Sequence, residues 1–165
     1  KTHGGSLRVY AQRSDTGKQL VSKSVSELQK KENEIGISSI QFYEGFQKKA
    51  EHIKLEFLSF LTKTKQSDKK VVGYGAAAKG NTLVNFSGVG PDLLSYVVDK
   101  NIEKQGKYMP GSRIPIVKES RLKKDQPHYV VIFPWNIQQE VMEQLKYIQD
   151  WKGKFVTFIP CKSVI

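Results

Sequence analysis

From Val71 onward the chain is punctuated by short runs of consecutive apolar residues. They are Val71-Val72-Gly73-Tyr74, Leu94-Ser95-Tyr96-Val97-Val98, Ile114-Pro115-Ile116-Val117, Tyr129-Val130-Val131-Ile132-Phe133 and Phe155-Val156-Thr157-Phe158-Ile159. A strand with one face in water alternates apolar and polar residues, whereas a strand covered by helices on both faces is apolar throughout. Between the last two runs, Ile137, Val141, Leu145 and Ile148 fall on one helical face, with Gly153 beyond its end. Strands alternating with helices predict an α/β fold, a Rossmann-like three-layer parallel sheet whose ligands sit at the carboxyl ends of the strands.

Upstream of Val71 the period changes. Apolar residues at Ile40, Tyr43, Phe46, Ala50, Ile53, Phe57, Phe60 and Leu61 recur in steps of three and four and predict one helix with a single packing stripe. Ser24 and Glu27 have capping-box spacing for a preceding helix, which Gly36 ends in a left-handed conformation. Ser6-Leu7-Arg8-Val9-Tyr10 reads as a strand, and no partner follows within hairpin distance. Three zones are expected: residues 1–23 as an arm or strand belonging with an upstream domain, 24–65 as a helical segment, and 66–165 as the Rossmann-like domain.

Composition narrows the setting. With 165 residues, of which 38% are hydrophobic, the chain is about one domain long and can bury an ordinary core. A net charge of +11 favours an anionic partner. The basic residues are Lys pairs scattered among Glu, and no basic helix with base-reading residues is visible, so a nucleic-acid-binding module ranks last among the functional readings. No apolar run is long enough to span a membrane, and no signal peptide is visible. Cys161 stands alone, as expected of a reducing, cytoplasmic compartment. The first residue is Lys1 rather than Met, and a piece of something longer is expected. No carboxylate pair, Ser–His–Asp series or metal-ligand spacing can be read.

The strongest chemical signal is the turn after the first apolar run. Gly73-Tyr74-Gly75-Ala76-Ala77-Ala78 satisfies G-x-G-x-x-G/A, and Asp99 closes the next strand about 20 residues on, where a carboxylate commonly accepts ribose hydroxyls. Gly75 and Gly80 have phosphate-loop spacing, but Asn81 stands where that motif needs lysine. Lys79 sits in the first helical turn against the helix dipole, which suits a shared anion. The long loop 99–116, rich in Lys, Gly and Pro, leaves a strand's carboxyl end, where binding loops belong. Pro134-Trp135-Asn136 ends the fourth strand facing the same crevice, although Asn136 also suits a helix cap. His52 and His128 read as solvated and structural, respectively.

In this order, "GYGAAAKGNTL", "VVDKN", "KQGKYMPGSRIPI", "PWN" and "GKFVTFIP" resemble the C-terminal domain of sugar C-methyltransferases dependent on S-adenosylmethionine. "HGGSLRVY" resembles the segment joining that domain to the methyl-donor-binding domain before it. The likeness covers nearly the whole chain and is weakest over 24–65. It implies a nucleoside-diphosphate keto-deoxysugar as substrate, commonly one carrying deoxythymidine diphosphate. A base removes the proton beside the ketone, and the enolate takes the methyl group. By match, the candidate base is His3. Thr2 stands where the family usually has an acid, Arg113 where a histidine is common, and His128 where an aspartate is common.

The resemblance places the methyl donor in the upstream domain and leaves the glycine turn to face the sugar nucleotide. The expected binding residues are Gly73, Gly75, Ala76, Lys79, Asn81, Thr82, Asp99, Lys107, Pro110, Gly111, Trp135 and Asn136. The runner-up is an independent NAD-type dinucleotide-binding oxidoreductase or binding domain using Gly73, Gly75, Ala78 and Asp99.

Overall fold

A computed structural model describes residues 6–165, so His3 lies outside the described residues. By internal contacts the chain divides into two compact units, residues 1–50 and 51–165.

The first unit contains α1 (Lys23–Ile35), α2 (Ile40–Tyr43) and the start of α3 (Phe46–Gln66). Gly36 caps α1 in the left-handed region as expected, with φ of 78°. The run Ser6–Tyr10 is exposed at every residue and pairs with no strand among the described residues. Two expectations fail in this unit. The helix begins at Lys23, one residue before the supposed capping box, and Ser22 precedes it without a side-chain cap. The single helix expected after Ser39 is broken at Glu44 and Gly45, where Gly45 takes φ of 79°.

The second unit is the α/β domain. Among the described residues, β1 (Val71–Tyr74), β2 (Val97–Val98), β3 (Ile116–Val117), β4 (Tyr129–Ile132), β5 (Lys154–Thr157) and β6 (Ser163–Val164) form one sheet in the order β3-β2-β1-β4-β5-β6. The first five run parallel, with Val71 beside Tyr129, Gly73 beside Val97 and Val98 beside Val117. β6 pairs antiparallel with β5 and was absent from the sequence reading. The order reverses between β1 and β4, the kind of switch point beside which parallel sheets commonly hold ligands at the carboxyl ends of their strands.

Helices cover both faces, which explains why the strands are apolar throughout. Val131 and Phe133 of the β4 segment face Phe57 and Leu61 of α3 and Leu83 and Val84 of α4 (Ala78–Ser87). Val130 and Ile132 face Leu122 of α5 (Ser120–Asp125) and Val141 of α6 (Gln138–Gln144). The runs at 94–98 and 114–117 join the parallel ladder only at their last two residues; Leu94 and Ile114 are buried as core outside it. The helix expected over 137–148 is a 3-10 turn at Trp135–Ile137, then α6, then a second 3-10 segment over Lys146–Trp151. Lys152, with φ of 62°, takes the left-handed cap position, and Gly153 follows.

Candidate functional site

The glycine turn owes its composition first to packing. Phe133, at the end of β4, is 1% exposed and turns its ring toward β1 and α4. A Cβ on Gly73 would lie 2.6 Å from that ring, and one on Gly80 would lie 2.6 Å from its Cγ. Gly75 has φ of 92° and passes within 2.6 Å of Pro134 when given a Cβ. Strand, helix and β4 can therefore meet only with glycine at these positions. That contact brings the start of α4 beside the Pro134-Trp135-Asn136 stretch.

At this meeting point three of the expected residues come together. Lys79 Nζ donates to Asn136 Oδ1 at 2.7 Å and lies 4.9 Å from the centre of the Trp135 ring. Asn136 therefore receives a lysine rather than capping the following helix. The ammonium is exposed and held by a neutral amide and a π face, and among the described residues no carboxylate pairs with it. No side chain caps α4, whose first amides have no partner within the helix. A lysine, the first amides of α4 and a half-buried indole thus meet beside the switch point. That combination suits an anion joined to a ring or a sugar.

The other end of the turn is built differently. Asp99 Oδ2 accepts the Ala76 N–H at 2.8 Å and Lys104 Nζ at 3.3 Å, while Oδ1 accepts the Asn101 N–H at 2.8 Å. Lys104 also donates to the Ala76 carbonyl at 2.8 Å, and Gln105 Nε2 to the Asp99 carbonyl at 3.0 Å. The carboxylate that would accept ribose hydroxyls is occupied by the chain's own donors, with its side chain only 12% exposed. Asp99 thus closes the turn onto the following loop in this structure.

A third group ties the long loop to α4. Asn85 Nδ2 donates to the Asn81 carbonyl at 2.8 Å, to Asn81 Oδ1 at 3.2 Å and to the Pro110 carbonyl at 2.9 Å. Gly111, at φ of 82°, presses against the Asn85 amide. Asn81, Pro110 and Gly111 are thereby joined, and Lys107 anchors the loop through its carbonyl, which accepts the Ile116 N–H. Thr82 is exposed on α4; among the described residues it joins none of these hydrogen-bonded groups. Asn85 and Lys104 were missed by sequence reasoning. The i, i+4 spacing of Asn81 and Asn85 was the one signal that pointed to the first; nothing distinguishes Lys104 from neighbouring loop lysines.

Away from the crevice, His52 is exposed and lies 3.7 Å from Glu56. His128 is structural, its Nδ1 accepting the Lys70 N–H at 3.0 Å. Burial pushes the Tyr74 phenol up, against a Gln144 hydrogen bond that lowers it. Burial also raises Asp125, but hydrogen bonds from Lys70 and Arg121 outweigh it and hold the carboxyl below its ordinary value. Among the described residues, no helix is long and apolar enough to cross a membrane.

The family model for the C-methyltransferase C-terminal domain matches residues 1–160. The C-methyltransferase NovU of Streptomyces niveus is 31% identical over 163 residues, covering 99% of this chain and 39% of that protein. The chain therefore spans about two fifths of that relative's length. A solved structure, UDP-D-quinovosamine 4-dehydrogenase from Vibrio fischeri, is 22% identical, with a TM-score of 0.42 over 54% of this chain and 76% of its own.

Proposed function

The chain belongs to the C-methyltransferase C-terminal domain family, and on that premise we propose that it is the substrate-side domain of an enzyme that methylates a carbon of a nucleoside-diphosphate keto-deoxysugar. The observation that carries this reading is the uncompensated Lys79 ammonium over Trp135 at the switch point. The lysine and the outward amides of α4 would take phosphoryl oxygens, and the indole would take the flat face of a sugar or base.

S-adenosylmethionine would supply a methyl carbon made electrophilic by its sulfonium. In this reading, which follows the family resemblance, it would bind in an upstream domain, and Asp99 here accepts the Ala76 N–H. Carbon methylation beside a ketone requires removal of a weakly acidic proton. The ketone makes this feasible by spreading the resulting charge onto oxygen, so the enzyme needs a positioned base and a donor for the enolate oxygen. His3 is proposed as the base on its match to the family segment.

Calorimetric titration with thymidine diphosphate tests the binding part of this reading. Lys79→Ala is expected to weaken binding about tenfold, the scale of one charge-assisted contact to phosphate. Unchanged affinity would remove Lys79 from the site.

A further inference from the structure

We infer that the β3 side of the sheet carries a second small-molecule site, separate from the crevice, that takes an organic phosphate of nucleotide size. β3 is an edge strand. Between it, α5 and the Gln105-Gly106 stretch lies a cavity of about 580 Å³. Small-molecule sites commonly fall between about 300 and 1,000 Å³.

The lining divides into two chemistries. Ile116 and Val117 give an apolar floor, while Lys118, Arg121 and Lys124 give a basic rim. Arg121 and Lys124 are three residues apart on α5 and so share one side of it. Among the described residues no carboxylate lines the cavity. The two acids nearest in sequence are engaged elsewhere. Glu119 accepts from Gln144 at 2.6 Å and from the Tyr147 hydroxyl at 3.0 Å. Asp125 accepts from Lys70 and Arg121, both at 2.9 Å. Arg121 is therefore partly neutralised, whereas Lys118 and Lys124 are exposed and keep their charge.

An apolar floor ringed by cations selects a molecule with a flat or apolar body and an anionic end. Inorganic phosphate would use the rim alone. An added peptide strand is disfavoured, because β3 already spends its outward groups. The Ile116 N–H donates to the Lys107 carbonyl at 2.8 Å, and the Ile116 carbonyl accepts the Gly106 N–H at 2.9 Å. Gln105 spends its amide N–H on Asp99, which leaves its side-chain oxygen as an acceptor for a base edge.

Calorimetry with adenosine diphosphate as the probe, and with pyrophosphate and adenosine as its halves, tests this site. The nucleotide is expected to bind at least about tenfold more tightly than either half, and Lys118→Glu with Lys124→Glu is expected to remove at least about tenfold of that affinity. In a Lys79→Ala background, which weakens the crevice, the same double exchange should still remove at least about tenfold of the affinity, which separates this site from the crevice. Both exchanged lysines are exposed, so an unchanged circular dichroism spectrum verifies the fold. The inference is overturned if the double variant binds the nucleotide as the parent does, if pyrophosphate binds as tightly, or if no nucleotide binding is detected.

Discussion

The two ends of the glycine turn both bring a lysine to the carboxyl edge of the sheet, and they use it in opposite ways. At the β2 end, Lys104 meets the Asp99 carboxylate and the Ala76 carbonyl, and the loop closes on itself. At the β4 end, Lys79 meets an amide oxygen and an indole face, neither of which carries charge. A cation beside a carboxylate has its charge answered within the fold. One held by neutral groups is oriented and still lacks an anion. The turn has thus become a structural joint on one side and a candidate anion site on the other.

The largest effect is expected on the closed side. Asp99→Ala leaves the Lys104 ammonium half-buried and the Ala76 N–H without its acceptor, at a cost of about 3 kcal/mol. Urea denaturation should show it as a lower midpoint at unchanged slope, whereas Lys79→Ala should move stability by less than about 0.5 kcal/mol. Equal losses from the two variants would break the comparison.

Next is the joint itself. Gly80→Ala drives a Cβ to within 2.6 Å of Phe133, and repacking should cost about 2 kcal/mol, read as a lower melting temperature. Asn85→Ala should cost about 1 kcal/mol and expose the 107–113 loop to limited proteolysis, because the amide that bridges Asn81 and Pro110 is lost. The smallest effect is expected from Asp125, which works away from both ends. Its folded pKa is depressed, so its contribution is present above the ordinary carboxylate value and disappears as pH falls through the folded one. The stability gap between the parent and Asp125→Asn should therefore be full at neutral pH and shrink on acidification. A gap that widens there would reverse the assignment.

The sequence made the strands of the second unit legible because each is covered on both faces, and continuous apolar runs are what such burial selects. It was less informative where an element's state depends on a neighbour. Ser6–Tyr10 has strand composition and no strand beside it. Gly45 cuts a helical period that side-chain spacing alone carries across. Asp99 was read as a ribose acceptor because a carboxylate at a strand end has the same sequence whether it meets a ligand or the chain's own amides. The pairing of Lys79 with Trp135 and Asn136 needed the β1–β4 adjacency, which the chain order 71–86 and 134–136 does not declare. Gly73 and Gly75 suggested a dinucleotide-type turn and Gly80 an incomplete phosphate loop; the structure adds the Phe133 ring that Gly73 and Gly80 must clear and the Pro134 ring that Gly75 must clear.

The most direct test is a calorimetric titration of the chain and its Lys79→Ala variant with thymidine diphosphate, with NAD as the control. The account predicts that the pyrimidine nucleotide binds, that the variant binds it about tenfold more weakly, and that NAD does not bind because Asp99 is already engaged. Binding of NAD, or pyrimidine nucleotide binding that Lys79→Ala leaves unchanged, would contradict it.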